Sequence, residues 1–104
     1  MATAHVDAGI CGFSTTVHIA GEGRALTVTI ESDCEHIRKL AAALTDVDPF
    51  REITFRGDGP LTYELARLHC AHAACPVPTG ILKAIEVAAG LALPRDVIIR
   101  VTKD

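Results

Sequence analysis

The chain has no tryptophan, and aromatic residues make up only 4% of it, so platforms for stacking bases or sugars are scarce. Basic excess is missing too: ten Lys and Arg face thirteen Asp and Glu, for a net charge of -3. Binding of phosphate backbones needs a basic surface, and nucleic acid is therefore not expected as a partner. No apolar run approaches the roughly 20 residues that span a bilayer, which predicts a soluble protein with no membrane role. The opening "MATAHVDAGI" lacks a basic stretch followed by an apolar core, so no secretory signal is expected. The expected location is the cytoplasm, where thiols stay reduced. No phosphate-binding GxxxxGK[ST] loop, Rossmann glycine set, G-x-S-x-G or H-E-x-x-H is present, which turns attention away from ordinary nucleotide and hydrolase chemistry.

What is there points to one globular domain over residues 1–104. Hydrophobic residues make up 49% against 22% charged, enough apolar surface for a single two-layer core. Three period-two stretches read as strands: residues 3–7; "FSTTVHIA", with Phe13, Thr15, Val17 and Ile19 on one face; and "RALTVTIE", with Leu26, Val28 and Ile30 on one face. The "GEG" between the last two is a hairpin turn. "SDCE" at 32–35 has the spacing of a capping box, opening a helix over 33–44 whose apolar stripe is Cys34, Ile37, Leu40, Ala41 and Leu44.

Residues 45–60, rich in Asp, Pro and Gly, form a connection in which "REITF" could be a short edge strand. A second helix is expected over 60–72. Continued helical phase puts Leu61, Leu65, Leu68 and His72 on its inner face and Cys70 on the outer one, with Tyr63 and Ala66. Pro78 starts a third helix with Ile81, Ile85 and Ala88 inward and Gly90 as its C-terminal cap. "DVIIRVT" at 96–102 alternates Val97, Ile99 and Val101 into a final strand. The expected fold is α+β: two layers, a mostly antiparallel sheet in β-β-β-α-α-α-β order, and helices packed on one face.

The chemistry-bearing residues are the four cysteines. Each element that crosses the layer carries the chain to its other end. If residues 45–60 do not cross, Cys11, Cys34, Cys70 and Cys75 all converge at one end; a crossing strand there would disperse them. The expected site is Cys11, Cys34 and Cys75, completed by His72 or Cys70, with His72 preferred on helical phase. Cys and His in a tetrahedral set suit Zn2+; thiolates with proline directly after a ligand, as in Cys75-Pro76, suit an iron-sulfur cluster. Asp7 and Asp33 could orient a ligand, but a turn or cap role is the expectation for each. His5, His18 and His36 are expected on the surface.

The blocks "DAGICGF", "ESDC" and "ACPVPTGILKAIEVAAGLALPRDV" resemble a small uncharacterised family, a domain of unknown function, of archaea and anaerobic bacteria. The resemblance covers nearly the whole chain. It implies an old cytosolic role with metal or sulfur and transfers no substrate and no site.

Three readings follow. The first is a small cytosolic metal-binding or iron-sulfur protein. The second is a redox-active thiol or sulfur carrier, with Cys34 as nucleophile at a helix N-terminus and another cysteine resolving it. The third is an interaction module whose cysteines only pack, since free Cys often behaves as a small hydrophobe. Whether the protein is an enzyme stays open, as does binding to a protein partner or to a second copy of the chain.

Overall fold

The computed structural model describes all 104 residues. It is an α+β fold: an open antiparallel sheet of four strands with four helices. The strands are β1 (Ala2–Asp7), β2 (Ser14–Glu22), β3 (Ala25–Ser32) and β4 (Asp46–Val47), side by side in sequence order. The helices are α1 (Glu35–Ala43), α2 (Pro49–Glu52), α3 (Leu61–His69) and α4 (Val77–Ala88). The chain order is thus β-β-β-α-β-α-α-α.

Alternation decides which face of the sheet is covered. Thr15, Val17 and Ile19 of β2 and Leu26 and Val28 of β3 are buried, while Thr3, His5, His18, Thr27 and Thr29 face out. Helix α1 packs on β3, and α4 packs on β1 and β2. Their stripes, Ile37 and Leu40 on α1 and Ile81, Ala84 and Ile85 on α4, close a core of twelve buried apolar residues. Full burial of a side chain such as Ile81 or Leu40 is worth roughly 1.5–3 kcal/mol.

The β2–β3 hairpin turns at Gly23-Arg24, with φ +63° at Gly23, the conformation a type II′ turn requires at its first central position. Helix α4 ends in a Schellman motif. The Leu91 N–H donates to the Glu86 carbonyl at 2.9 Å and the Gly90 N–H to the Val87 carbonyl at 3.1 Å, with φ +75° at Gly90.

Several expectations are corrected. The capping box does not form, because β3 stays paired as far as Ser32, which sits opposite Thr15. Their hydroxyls share a 2.7 Å hydrogen bond and Ser32 Oγ also accepts the Cys34 N–H at 3.1 Å. The N-cap therefore moves to Cys34, and the helix begins at Glu35. Phe13 is not on the buried face; it precedes β2 and is 40% exposed. "REITF" forms no strand. Asp48 caps α2 by accepting the Phe50 N–H at 2.9 Å, Pro49 occupies the first turn, and the helix runs into Glu52.

The edge strand is instead Asp46–Val47, which pairs with Leu26 and Thr27 and does not cross the layer. Finally, residues 96–102 form no strand, and Val97, Ile98, Ile99 and Val101 lie in solvent. The alternation is genuine, but no strand of the sheet pairs with the segment.

Glu52 is the one buried carboxylate. It accepts the Leu61 N–H at 2.9 Å, the Thr62 N–H at 2.8 Å and the Thr62 hydroxyl at 2.6 Å. Pro60, at the N-cap of α3, has no capping side chain, so Glu52 supplies the acceptors that the free N–H groups of the first turn need.

Candidate functional site: a corner of three cysteines

Cys34, Cys70 and Cys75 come from three different junctions. Cys34 is the N-cap of α1, in extended conformation, with its carbonyl accepting the Arg38 N–H at 2.9 Å. Cys70 is the C-cap of α3, and its N–H closes the last turn on the Ala66 carbonyl at 2.8 Å. Cys75 follows a turn in which its N–H donates to the His72 carbonyl at 3.3 Å, and Pro76 then caps α4. All three are half-buried free thiols packed against the edge of the core.

Burial pushes the Cys70 thiol above its ordinary pKa, and negative charge on Cys75 and then on Cys34 would push it in the same direction. Two helix N-termini open at this corner, α1 at Cys34 and α4 just after Cys75. Such ends offer positive partial charge to anionic groups. The Arg38 guanidinium reaches the Ser32 carbonyl at 3.1 Å, next to the start of α1. As positioned, no group of three or more His, Cys, Asp and Glu side chains is arranged to hold a metal ion.

The helical-phase ranking of His72 over Cys70 is reversed. Helix α3 ends at His69, and Cys70 takes extended angles (φ -85°, ψ 134°), so phase cannot be carried on to residue 72. Cys70 turns toward the core and His72 is exposed. The inner line of α3 is Thr62 and Ala66, with Leu68 72% exposed. The Glu52 cap and the neighbours α1 and α4 set that rotation, and none of these is visible to a hydrophobic stripe.

Cys11 is exposed in the loop after β1, which is closed by the Ala8 N–H on the Phe13 carbonyl at 3.2 Å and the Gly12 N–H on the Gly9 carbonyl at 2.9 Å. It is not among the residues packed on the core. Asp7 accepts the Gly9 N–H at 3.2 Å and so is a turn residue. His18 and His5 hydrogen-bond Thr3 and Thr16 on the open face of the sheet, and His36 is exposed.

Glu52 is the polar residue that motif reading missed. A carboxylate nine residues before the helix it caps leaves no local signature; an acidic residue between Phe50 and Ile53 in "FREITF" is the one local hint.

Fold and corner together define a small α+β protein with three converging free thiols. The chain belongs to a family described as "Family of unknown function (DUF6951)", whose model matches residues 2–101. No curated protein and no solved structure gives a significant match.

Proposed function

We propose that this is a small cytoplasmic metal-binding protein, holding Zn2+ or an iron-sulfur cluster on the thiolates of Cys34, Cys70 and Cys75. The supporting observation is that these three free, half-buried thiols pack against the edge of one core. Thiolates of this kind suit soft and borderline metals. Binding would require rearrangement of the side chains and the loss of the Cys70 proton, so metal uptake should strengthen with pH. Cys11 and His72, both exposed, are the candidates for a fourth ligand, and either needs its loop to fold inward. The net charge of -3 supports a function away from nucleic acid.

The test is anaerobic purification followed by elemental analysis, an absorption spectrum and a Co2+ titration. Metal near one equivalent, or thiolate-to-metal absorption, is expected for the parent protein and should be lost in C70S and C34S. Retention in C11S would leave the fourth position to His72. A folded, colourless protein that takes up neither Zn2+ nor Co2+ would falsify the reading.

The second reading, dithiol redox chemistry between Cys70 and Cys75, is favoured by one observation: the thiols are free and no ready-made metal group exists. Mass spectrometry after mild oxidation would then find a Cys70–Cys75 disulfide in preference to any pair with Cys11.

A further inference from the structure

The same chain contains an unpaired strand and an unpaired strand edge. No backbone hydrogen bond involves any residue beyond Leu91, yet residues 96–102 alternate like a strand, with Val97, Ile98, Ile99 and Val101 56–87% exposed. An apolar, β-branched segment left open in this way is a template for pairing. The span matched by the family runs through Val101, so the segment is part of the domain.

The complementary vacancy is β1, which pairs only with β2. Burial falls away across this edge row by row. Ile19, Val17 and Thr15 are buried, while their register partners Ala2, Ala4 and Val6 on the same face stay half-exposed. The core is therefore short of one strand on this side. The six residues of β1 are one fewer than the seven of the free segment.

Two features decide which copy of the segment fills the gap. Helix α4 runs back along β1: Gly80 meets Val6, and Ala88–Gly90 share a shallow concavity with Met1 and the hairpin. To reach its own β1, the chain would have to reverse within residues 91–95, which contain Pro94. The chain does not make that reversal: beyond Leu91 its backbone bonds to nothing, and its apolar side chains stay exposed instead of covering its own β1. Exchange of one element between identical chains then uses the same contacts without the reversal.

We propose that residues 96–102 of one chain add to the β1 edge of a second copy, reciprocally, making a strand-exchanged homodimer.

The experiment measures mass across a dilution series by light scattering or sedimentation, together with amide exchange of the tail, on the full chain and on I99P. The expected result is twice the monomer mass with protected amides at 97–101, and a monomeric I99P with unprotected tail amides and an unchanged far-ultraviolet spectrum. A monomer at every concentration overturns the proposal, whether its tail is protected, which means docking on its own β1, or unprotected. A dimer that survives I99P also overturns it, because the interface then lies elsewhere.

Discussion

Strand β3 and the segment 96–102 are written in the same alphabet, "ALTVTIES" against "DVIIRVT", and meet different fates. β3 is paired on one side by β2 along its length and on the other by β4 at its start, and it lies beneath α1. Its Leu26 and Val28 are 1% and 4% exposed, whereas Ile99 is 74% exposed. Period-two alternation encodes the ability to be a strand. Being one depends on a partner that the alternation does not specify.

The contrast can be broken or sharpened in four ways. The largest effect is expected for Leu26→Ala, which should cost about 2–5 kcal/mol by urea unfolding; Ile99→Ala in dilute protein should stay within about 0.5 kcal/mol. An equal loss in both would mean that the tail is packed in the monomer. Next comes Glu52→Ala, which strips three hydrogen bonds from the start of α3 and should cost about 3 kcal/mol, because buried donors are left without an acceptor. Glu52→Gln, keeping one acceptor, should recover part of that loss.

Gly80→Ala tests the edge itself. A Cβ there would run into Val6 Cγ2, so α4 should lift from β1 at about 1–3 kcal/mol, visible as faster amide exchange in β1 while β3 is unchanged.

The smallest effect concerns pH. The Cys70 thiol is held protonated in the fold, first by burial and then by Cys75 and Cys34. The folded state therefore keeps a proton that the unfolded chain gives up above the ordinary thiol value of about 8.5. Metal-free protein should be fully stabilised below that pH and lose stability as pH rises past it, toward the raised folded value. Unfolding midpoints between pH 7 and 10 should show a decline that is weaker in C70S, and Cys11 should alkylate before Cys70 throughout.

Much of the architecture was legible because it rests on local pattern. The three long strands, the hairpin, the stripes of α1 and α4 and the Gly90 cap each follow from spacing within a dozen residues. Chain parity put all four cysteines at one end; Cys34, Cys70 and Cys75 do pack against the edge of one core, whereas Cys11 is exposed in the loop after β1 and is not among them. What escaped depends on contacts between distant residues. Ser32 is kept in the ladder by Thr15, which shifts the helix start; Glu52 fixes the start of α3; and extended angles at Cys70 end the phase that had favoured His72. Phe13 and Leu68 were misassigned for the same reason, because a stripe says which residues could be inside and not where the element stops.

The spatial order of the strands, identical to their order along the chain, has a kinetic consequence. Strands β1, β2 and β3 meet across short loops and β4 meets β3 after the single helix α1, and chains rich in such local contacts fold quickly. The distant contact is α4 against β1, which must close a loop of some seventy residues and so comes late. Cys75 precedes α4 by two residues, so its approach to Cys34 follows the docking of that helix. The thiol corner is therefore assembled last, and until then its sulfur atoms stand open to whatever the cell delivers to them.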